Sequence, residues 1–330
     1  MWIDDYVRLL FPIAASDLRI EEAQALKYQN LPNTLYKYRS TEDHNLKNLE
    51  QGLEWQSYPS EFNDPFDAGL KVSVESIKTE LFKERLIDKF QKYFALTATQ
   101  KNEIFSTDNP VSTFMKMGIS QGPKFHEYSE EELYKVADII DQAFHKEMDR
   151  LESEFSSTFS SGYLVSCFSE QKDNRLMWSH YANNHKGYCV GYNFKEQGPK
   201  NLLVRILHPT IYNAEKFDAT EYYKNIIKTG IGTFNNLYGM YPVISKDDVW
   251  AYEMEWRTIN PLYGPGISTN DYEKRLLPMP IPEVVYLGAR ISEEDKNSIL
   301  AIAQNKKFPV NQMTLDRYGY GLGEALIYKP

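Results

Sequence analysis

Residues 162–194 read GYLVSCFSEQKDNRLMWSHYANNHKGYCVGYNF, and this stretch decides the predicted fold. Its opening, GYLVSCFSE, is a short apolar run bounded by polar residues, which predicts a buried strand. LMWSHYA (176–182) predicts a short helix. KGYCVGYNF (186–194) alternates its side chains in the manner of a second strand. The stretch therefore indicates a β-containing core with a short helix between two of its strands.

Further strands are predicted on both sides of this stretch. LYKYRS (35–40) has the aromatic alternation that is typical of a strand. The other predicted strands are LLVRILHPTIY (202–212), WAYEMEWRTINPLYG (250–264), PEVVYLGARIS (282–292) and a closing strand or hairpin, QMTLDRYGYGLGEALIYKP (312–330).

Residues 75–160 differ from the rest of the chain. The segments 75–96 and 129–155 are charged, amphipathic and almost free of Gly and Pro, so both are predicted to be helices. We therefore expect an α+β fold that forms a single domain over residues 1–330. It would have a central, mostly antiparallel β core, surrounding helices, and residues 75–160 as a helical insertion subdomain.

The composition limits the classes of function. The chain of 330 residues has a formal net charge of −9 and a pI near 5.3. An acidic protein repels the negatively charged phosphates of nucleic acids, so we do not expect it to bind duplex DNA in general. No run of about 18 apolar residues is present, so we expect no membrane partner. Two cysteines and no recognisable secretory signal predict reduced thiols and a cytoplasmic location.

The window 167–189 contains the candidate ligands for a metal. These are Cys167, His180, His185 and Cys189. Zinc sites usually place their ligands in pairs two to five residues apart, and Cys167 has no such neighbour. Both cysteines also lie in apolar strands, where a free cysteine is most often a small core residue. We therefore expect no metal at this window.

The same window allows two other interpretations. Ser179 and His180 would form a poor nucleophile and base, because neighbours on a helix point about 100° apart. Trp178 and Tyr181 lie on one side of the predicted helix, next to strand ends. Such a pair builds an aromatic wall for a planar ligand, and it builds a hydrophobic core equally well.

Two carboxylates lie two residues apart in the strand predicted at 250–264. On a strand, Glu253 and Glu255 would share one face, and their mutual repulsion would raise the pKa of one of them. Such a pair suits acid–base chemistry. Alternatively, both glutamates lie on a solvated polar face. The nearby Arg257 favours the functional interpretation.

Two further candidates bind anions or polar groups. Arg39 ends an aromatic strand, where its planar guanidinium would hold a phosphate or carboxylate, or else form a structural ion pair. The loop EFNDPFDAG (61–69) offers Asn63 and Asp67, although Asx turns explain both residues without a ligand.

Four motifs in a fixed order resemble a bacterial family known as domain of unknown function 2971. The motifs are YKYR (36–39), FNDPFD (62–67), the cysteine and histidine window from residue 167 to 189, and YEMEWR (252–257). The resemblance covers nearly the whole chain outside residues 75–160. Membership of that family implies no particular activity.

A more distant resemblance is to the ADP-ribosyltransferase superfamily, which carries an Arg, a Ser and a Glu-x-Glu on successive strands. The matching positions are Arg39, Ser166 or Ser169, Glu253 and Glu255. The resemblance implies NAD as a substrate. It also implies a role for each residue: Arg39 at the phosphate or ribose, Ser169 at the ribose, Trp178, His180 and Tyr181 in the wall of the nicotinamide pocket, Glu255 as the catalytic carboxylate, and Glu253 positioning the acceptor.

The distant resemblance implies one expected function, and the residues leave two alternatives open. The expected function is that of an NAD-dependent ADP-ribosyltransferase-like enzyme, a toxin or phage-defence effector whose unknown acceptor is a protein or a nucleic acid. The first alternative is a non-catalytic module that senses a ligand or partner, with Arg39, Glu255 and Arg257 in a buried ion network. The second is a metal-dependent nuclease or hydrolase that uses His180, His185 and acidic residues.

Overall fold

The computed structural model describes residues 2–73, 76–77, 80, 96–107, 110–119, 129–229, 235–262 and 272–330. Its α-helices are α1 (Trp2–Leu10), α2 (Ile20–Asn30), α3 (Asp43–Gln51), α4 (Ala98–Phe105), α5 (Pro110–Ile119), α6 (Glu130–Ser161), α7 (Arg175–Tyr181), α8 (Leu202–Arg205), α9 (Thr220–Thr229), α10 (Tyr241–Ile244) and α11 (Glu293–Lys306). Short 3₁₀ helices include Pro59–Glu61 and Asp248–Glu253. No helix in these described ranges is long and apolar enough to cross a membrane.

The strands build one large sheet and three small ones. They are β1 (Leu35–Arg39), β2 (Leu53–Trp55), β3 (Leu70–Lys71), β4 (Tyr163–Ser169), β5 (Tyr188–Tyr192), β6 (Leu207–Pro209), β7 (Ile211–Asn213), β8 (Phe217–Asp218), β9 (Ser245–Asp247), β10 (Glu255–Pro261), β11 (Leu276–Pro278), β12 (Val284–Leu287), β13 (Val310–Leu315) and β14 (Leu322–Tyr328). The eight-stranded sheet has the order β14-β13-β12-β5-β1-β4-β10-β6. All its neighbours are antiparallel except the pair β12 and β13. The structure is thus mixed α+β with a mostly antiparallel central sheet, as the sequence predicts.

Local sequence signals set several element boundaries. Helix α3 ends at Gly52, whose φ of 70° is left-handed and suits a residue without a Cβ. Helix α7 begins after Asn174, whose side chain accepts hydrogen bonds from the backbone N–H groups of Leu176 and Met177. The predicted strand, short helix and strand at 162–194 are therefore confirmed as β4, α7 and β5.

Two predicted strands are wrong in part. Residues 202–212 begin as helix α8 because Asn201 caps the backbone N–H of Leu203, and only then continue as β6 and β7. The strand predicted at 250–264 begins later, at Glu255, because residues 248–253 form a 3₁₀ helix capped by Asp247. Glu253 is therefore not on a strand.

Apolar layers cover the two faces of the central sheet. On one face, Tyr6 of α1 and Ala23 of α2 pack into a cluster with Val165 of β4. On the other face, Ile299 of α11 packs into a cluster with Phe168, which points away from Val165 because side chains alternate along a strand. Burying each large apolar side chain contributes roughly 1.5–3 kcal/mol. The sheet is thus held between helices on both sides.

Most of the described part of residues 75–160 is helical and lies in α4, α5 and α6. The helix predicted at 75–96 lies almost entirely outside the described residues. Helix α6 runs to Ser161 and leads directly into β4 through Gly162. The organisation of this block as an insertion subdomain stays a prediction.

Gly187 provides a stability test at the start of β5. A Cβ at this position would lie 2.0 Å from the backbone oxygen of Arg39, whereas one at Gly321 would meet nothing closer than 3.7 Å. We expect Gly187→Ala to lower the free energy of unfolding by about 2–3 kcal/mol, since a backbone clash forces main-chain movement. Gly321→Ala should change it by less than about 0.5 kcal/mol. Denaturant titration of both variants compares them, and equal stabilities would contradict the close approach.

Candidate active site

The central sheet splits between β1 and β4. Over the full length of these two described strands, one register pair joins them, Tyr36 opposite Ser169. A regular antiparallel ladder would continue until residue 40 lay opposite Val165. Val165 instead exchanges both backbone hydrogen bonds with Ser57, at 2.8 and 2.9 Å. The segment that follows β2 therefore occupies the place of β1 along this part of β4.

The inserted segment is held from its other side as well. β2 pairs with β11, and the backbone N–H of Gln56 donates to the carbonyl oxygen of Arg275 at 2.8 Å. The Arg275 guanidinium forms an ion pair with Glu61 and lies over the Trp55 ring, 4.2 Å from its centroid. The segment 54–61 is therefore anchored to both β4 and residues 275–278.

A cavity of about 200 Å³ lies where β1 and β4 separate. Five residues predicted to form the site line it: Arg39, Ser169, Tyr181, Glu253 and Glu255. Five further charged or thiol side chains line it as well: Lys37, Glu61, Asp67, Cys167 and Lys246. Because the strands diverge here, residues from both faces of β1 reach the same space. The separation of β1 and β4 therefore brings together side chains that would lie on opposite faces of a continuous sheet.

Trp178 and His180 are not among the residues that line this cavity. Trp178 is fully buried, donates from its indole N–H to the carbonyl oxygen of Lys172 at 2.8 Å, and packs edge-on against Tyr38. His180 is exposed on the outer side of α7. Tyr181 faces the cavity, so α7 contributes one of its three predicted wall residues to this space.

The four candidate metal ligands do not form a metal site. Among the residues that the structure describes, no group of three His, Cys, Asp or Glu side chains is arranged to hold a metal ion. Cys189 is fully buried in β5. His185 stacks on Trp178 with ring centroids 6.1 Å apart. Burial raises the pKa of Cys167 to about 12, so its thiol stays protonated at neutral pH.

A buried ion network lies beside the cavity. The Lys246 ammonium is 2.5 Å from Glu253, 2.9 Å from Glu255 and 3.7 Å from Asp67. Arg257 donates to both carboxylate oxygens of Asp67, at 2.8 and 2.7 Å, and to both of Glu255, at 3.1 Å each. With all five groups ionised, three carboxylates against two cations leave one net negative charge.

The two glutamates converge through a backbone kink rather than through a shared strand face. Glu253 ends the 3₁₀ helix, Glu255 begins β10, and Met254 between them has a left-handed φ of 45°. Methionine rarely adopts this conformation, because its Cβ crowds the following carbonyl. The kink directs both carboxylates to Lys246, and Glu253 also accepts a hydrogen bond of 2.8 Å from the Tyr181 hydroxyl.

The two carboxylates differ in their electrostatics. Burial and the neighbouring Glu255 raise the pKa of Glu253 above its usual value. Burial also acts to raise the pKa of Glu255, but Arg257 and Lys246 outweigh it and hold this pKa below its usual range. Glu255 is therefore ionised at any ordinary pH, while Glu253 is the carboxylate closer to protonation.

Two cations of β1 flank the opening of the ladder. Arg39 forms an ion pair with the buried Glu54, and its guanidinium lies 3.5 Å from the carbonyl oxygen of Trp55. Lys37 donates to the carbonyl oxygen of Cys167 at 2.8 Å. Burial, with a contribution from Arg39, lowers the pKa of Lys37 to about 7. Its amine thus satisfies a carbonyl of β4 that a regular ladder would pair with β1.

Sequence reasoning missed two residues of this site, Lys37 and Lys246. Lys37 lies in the YKYR motif, where only Arg39 was singled out, and Lys246 lies in none of the four motifs. The positions of both lysines depend on strand pairing that is distant in sequence. Asp67 lies in the FNDPFD loop, where Asx turns explain its residue type. The resemblance of that loop to a family motif was the signal that pointed to Asp67.

Lys246→Met would test the ion network. We expect the free energy of unfolding near pH 8 to fall by about 3–5 kcal/mol, since removing one partner of a buried ion pair leaves uncompensated charge. Without the ammonium, the folded-state pKa of Glu253 rises further above its unfolded value. Protonation then favours the folded state, so the loss should be smaller near pH 5 than near pH 8. Denaturant titrations at both pH values measure it.

The double variant Lys246→Met with Glu253→Gln is the matched control. It removes Glu253, the carboxylate of the network that Arg257 does not contact, so part of the stability near pH 8 should return. Equal losses in the single and double variants would contradict a shared charge balance.

Met254→Val and Met254→Gly would test the kink. Both remove the contact between the Met254 sulfur and Gln171, so their difference isolates the backbone. Because a β-branched side chain fits the left-handed region poorly, we expect the valine variant to be less stable than the glycine variant by about 1–2 kcal/mol. Thermal unfolding of the two variants measures the difference, and a more stable valine variant would refute the strain.

Residues 177–258 match the model of a family described as a protein of unknown function (DUF2971). The matched range runs from α7 into β10 and includes Tyr181, Lys246, Glu253 and Glu255, whereas Lys37 and Arg39 lie outside it. Comparisons with the curated proteins and with the solved structures found no match. Over this quarter of its length, which contains Glu253 and Glu255 of the cavity, the chain is similar to the DUF2971 family.

Proposed function

We propose that the chain is an NAD-using, ADP-ribosyltransferase-like enzyme whose active site is the cavity between β1 and β4. The observation that carries the proposal is the meeting of Arg39, Ser169, Tyr181, Glu253 and Glu255 around one space. These residues come from four separate parts of the chain. The cavity also borders a network with one net negative charge, and the cleavage of a glycosidic bond to nicotinamide develops positive charge on the ribose.

In this proposal the nicotinamide end of NAD enters the cavity, and the rest of the dinucleotide lies outside it. A space of about 200 Å³ suits one ring and part of a sugar better than a whole dinucleotide. The C–N bond breaks with its electron pair going to the nicotinamide nitrogen. The ionised Glu255 then stabilises the oxocarbenium-like ribose from a fixed position, because Arg257 holds both of its oxygens.

The other side chains have supporting roles. Glu253, whose pKa is raised, positions the acceptor and can take up its proton. The Ser169 hydroxyl donates to the Glu253 carbonyl oxygen at 2.6 Å and accepts from the Gln171 backbone N–H, so one lone pair stays available for a ribose hydroxyl. Arg39 offers the N–H groups that Glu54 does not use. The acceptor, a protein or a nucleic acid, and a cytoplasmic toxin or phage-defence setting belong to the same proposal.

The experiment is an assay of nicotinamide release from NAD, combined with NAD-dependent thermal stabilisation. Glu255→Gln should lower the rate of nicotinamide release by about 100-fold or more, the usual effect of removing a group that stabilises transition-state charge. Glu283→Gln, which changes an exposed carboxylate bound to Thr34, should leave the rate unchanged. If Glu255→Gln releases nicotinamide as fast as the wild type, the mechanism is wrong.

A second candidate, a non-catalytic module that senses a ligand, is favoured by one observation. Glu255 and Arg257 form a buried ion network, as that alternative expects, although its third expected member, Arg39, pairs with Glu54 instead. In this case NAD or another ligand would raise the melting temperature without any release of nicotinamide. The same two measurements therefore separate the enzyme from the sensor.

A further inference from the structure

Lys37 differs from the other cations that line the cavity. Lys246 contacts three carboxylates, and Arg39 pairs with Glu54. Within the described ranges Lys37 forms no ion pair, and its amine donates to the backbone carbonyl oxygen of Cys167 at 2.8 Å. It also lies over the Phe168 ring, 5.5 Å from the centroid. The cavity therefore contains one amine that no carboxylate holds in the protonated form.

The surroundings of this amine favour its neutral form. Burial is the main cause that lowers the pKa of Lys37, and the like charge of Arg39 on the same strand adds to it. Cys167 on β4 and Glu255 on β10 act in the opposite direction, but they do not offset the burial. A neutral amine that donates one N–H to a carbonyl oxygen keeps its lone pair free, which makes it a nucleophile.

We propose that Lys37 forms an imine with the carbonyl carbon of a small aldehyde or ketone bound in the cavity. The amine nitrogen adds to the carbonyl carbon, and the carbonyl π electrons move to oxygen, which takes up a proton. The nitrogen loses its proton, the hydroxyl group leaves as water, and a C=N bond forms. One amine and one carbonyl compound thus yield one imine and one water, with no oxidant or reductant.

The lining of the cavity suits a small polyhydroxylated carbonyl compound. Tyr38, Phe168 and Met177 supply apolar walls, while the Glu253 carboxylate faces the same space and can accept hydrogen bonds from hydroxyl groups. An open-chain sugar has both features. The inference does not depend on the use of NAD, because it concerns a different residue and a different bond.

Two other lysines serve as controls within the same molecule. Lys27 is fully buried, its pKa is also lowered to about 7 by burial and Arg205, and its amine donates to the carbonyl oxygens of Val204 and Arg205 at 2.8 and 3.0 Å. It therefore shares the low pKa of Lys37 without lining this cavity. Lys246 lines the cavity, but its three carboxylates raise its pKa, so it stays protonated.

The test uses the full-length protein, glyceraldehyde as the probe and cyanoborohydride to trap the imine as a stable amine. Peptide mass spectrometry at low conversion follows each lysine over time near pH 7. We expect Lys37 to be modified at least tenfold faster than the exposed Lys47, because the neutral fraction exceeds that of an ordinary lysine by about a thousandfold. Lys27 and Lys246 should remain essentially unmodified.

The pH profile gives a second readout from the same samples. Modification of Lys37 should rise through about pH 7 and then level off, whereas the rate at ordinary exposed lysines keeps rising towards pH 10. Lys37→Arg retains a donor for the Cys167 carbonyl oxygen and should abolish trapping at this site while the protein stays folded, as circular dichroism would show.

Equal rates at Lys37 and Lys47 would overturn the proposal. So would modification of Lys27 as fast as Lys37, since reactivity would then follow the pKa and not the cavity. Loss of nicotinamide release in Glu255→Gln with Lys37 trapping intact would support both proposals separately. Absence of nicotinamide release in the wild type, with Lys37 trapping intact, would remove the proposed enzyme and keep this inference.

Discussion

The interruption of the ladder between β1 and β4 is the constraint on which the candidate site depends. Tyr36 and Ser169 fix the register, and Ser57 then takes the partner position opposite Val165. In an unbroken sheet the neighbouring strands lie less than about 5 Å apart, which leaves no room for a ligand between them. The divergence creates that room within the central sheet. Arg39, Ser169 and Glu255 of the site are therefore positioned by strands of the central sheet.

The same divergence exposes backbone groups that would otherwise pair, and side chains satisfy them. The amine of Lys37 binds the carbonyl oxygen of Cys167, and the hydroxyl of Ser166 binds that of Trp55 at 2.8 Å. Unsatisfied buried carbonyl groups cost roughly 1–3 kcal/mol each. A lysine in this position thus stabilises the split sheet and places a reactive amine in the cavity at the same time, so structural and chemical roles coincide in one residue.

The ion network combines stability with the requirements of a charged site. Removing five ionic groups from water costs several kcal/mol for each ion, and only close contacts such as the two-point contact of Arg257 with Asp67 offset this cost. The contacts hold the glutamates in fixed positions, and with all five groups ionised the network has one net negative charge. Such preorganised charge is what distinguishes a site that stabilises a cationic transition state from a solvated acidic surface.

Much of the fold could be predicted from the sequence, because alternation and capping are local. The strands β4 and β5, the helix α7 after Asn174 and the end of α3 at Gly52 follow from residue types within a few positions. Local patterns could not reveal the site in the same way. The alternation around residue 253 predicts a strand, and a left-handed methionine carries no sequence signal.

Contacts across the chain explain the remaining differences. Asp67 meets Arg257 over a separation of 190 residues, and Lys37 meets Cys167 over 130. The sequence nevertheless singled out Arg39, Glu253 and Glu255 from separate motifs. The structure brings the elements that carry these motifs to one cavity. The sequence pattern does not show how distant strands pair. That pairing decides which side chain forms an ion pair or hydrogen bond with each charged residue.

The double anchoring of segment 54–61 has a mechanical consequence. One edge of this segment is bound to β4 and the other to residues 275–278, so it connects them directly. Any displacement of residues 275–278 away from the sheet must pull Trp55 and Ser57, which line the cavity, in the same direction. The aperture of the cavity and the position of β11 are therefore linked through segment 54–61.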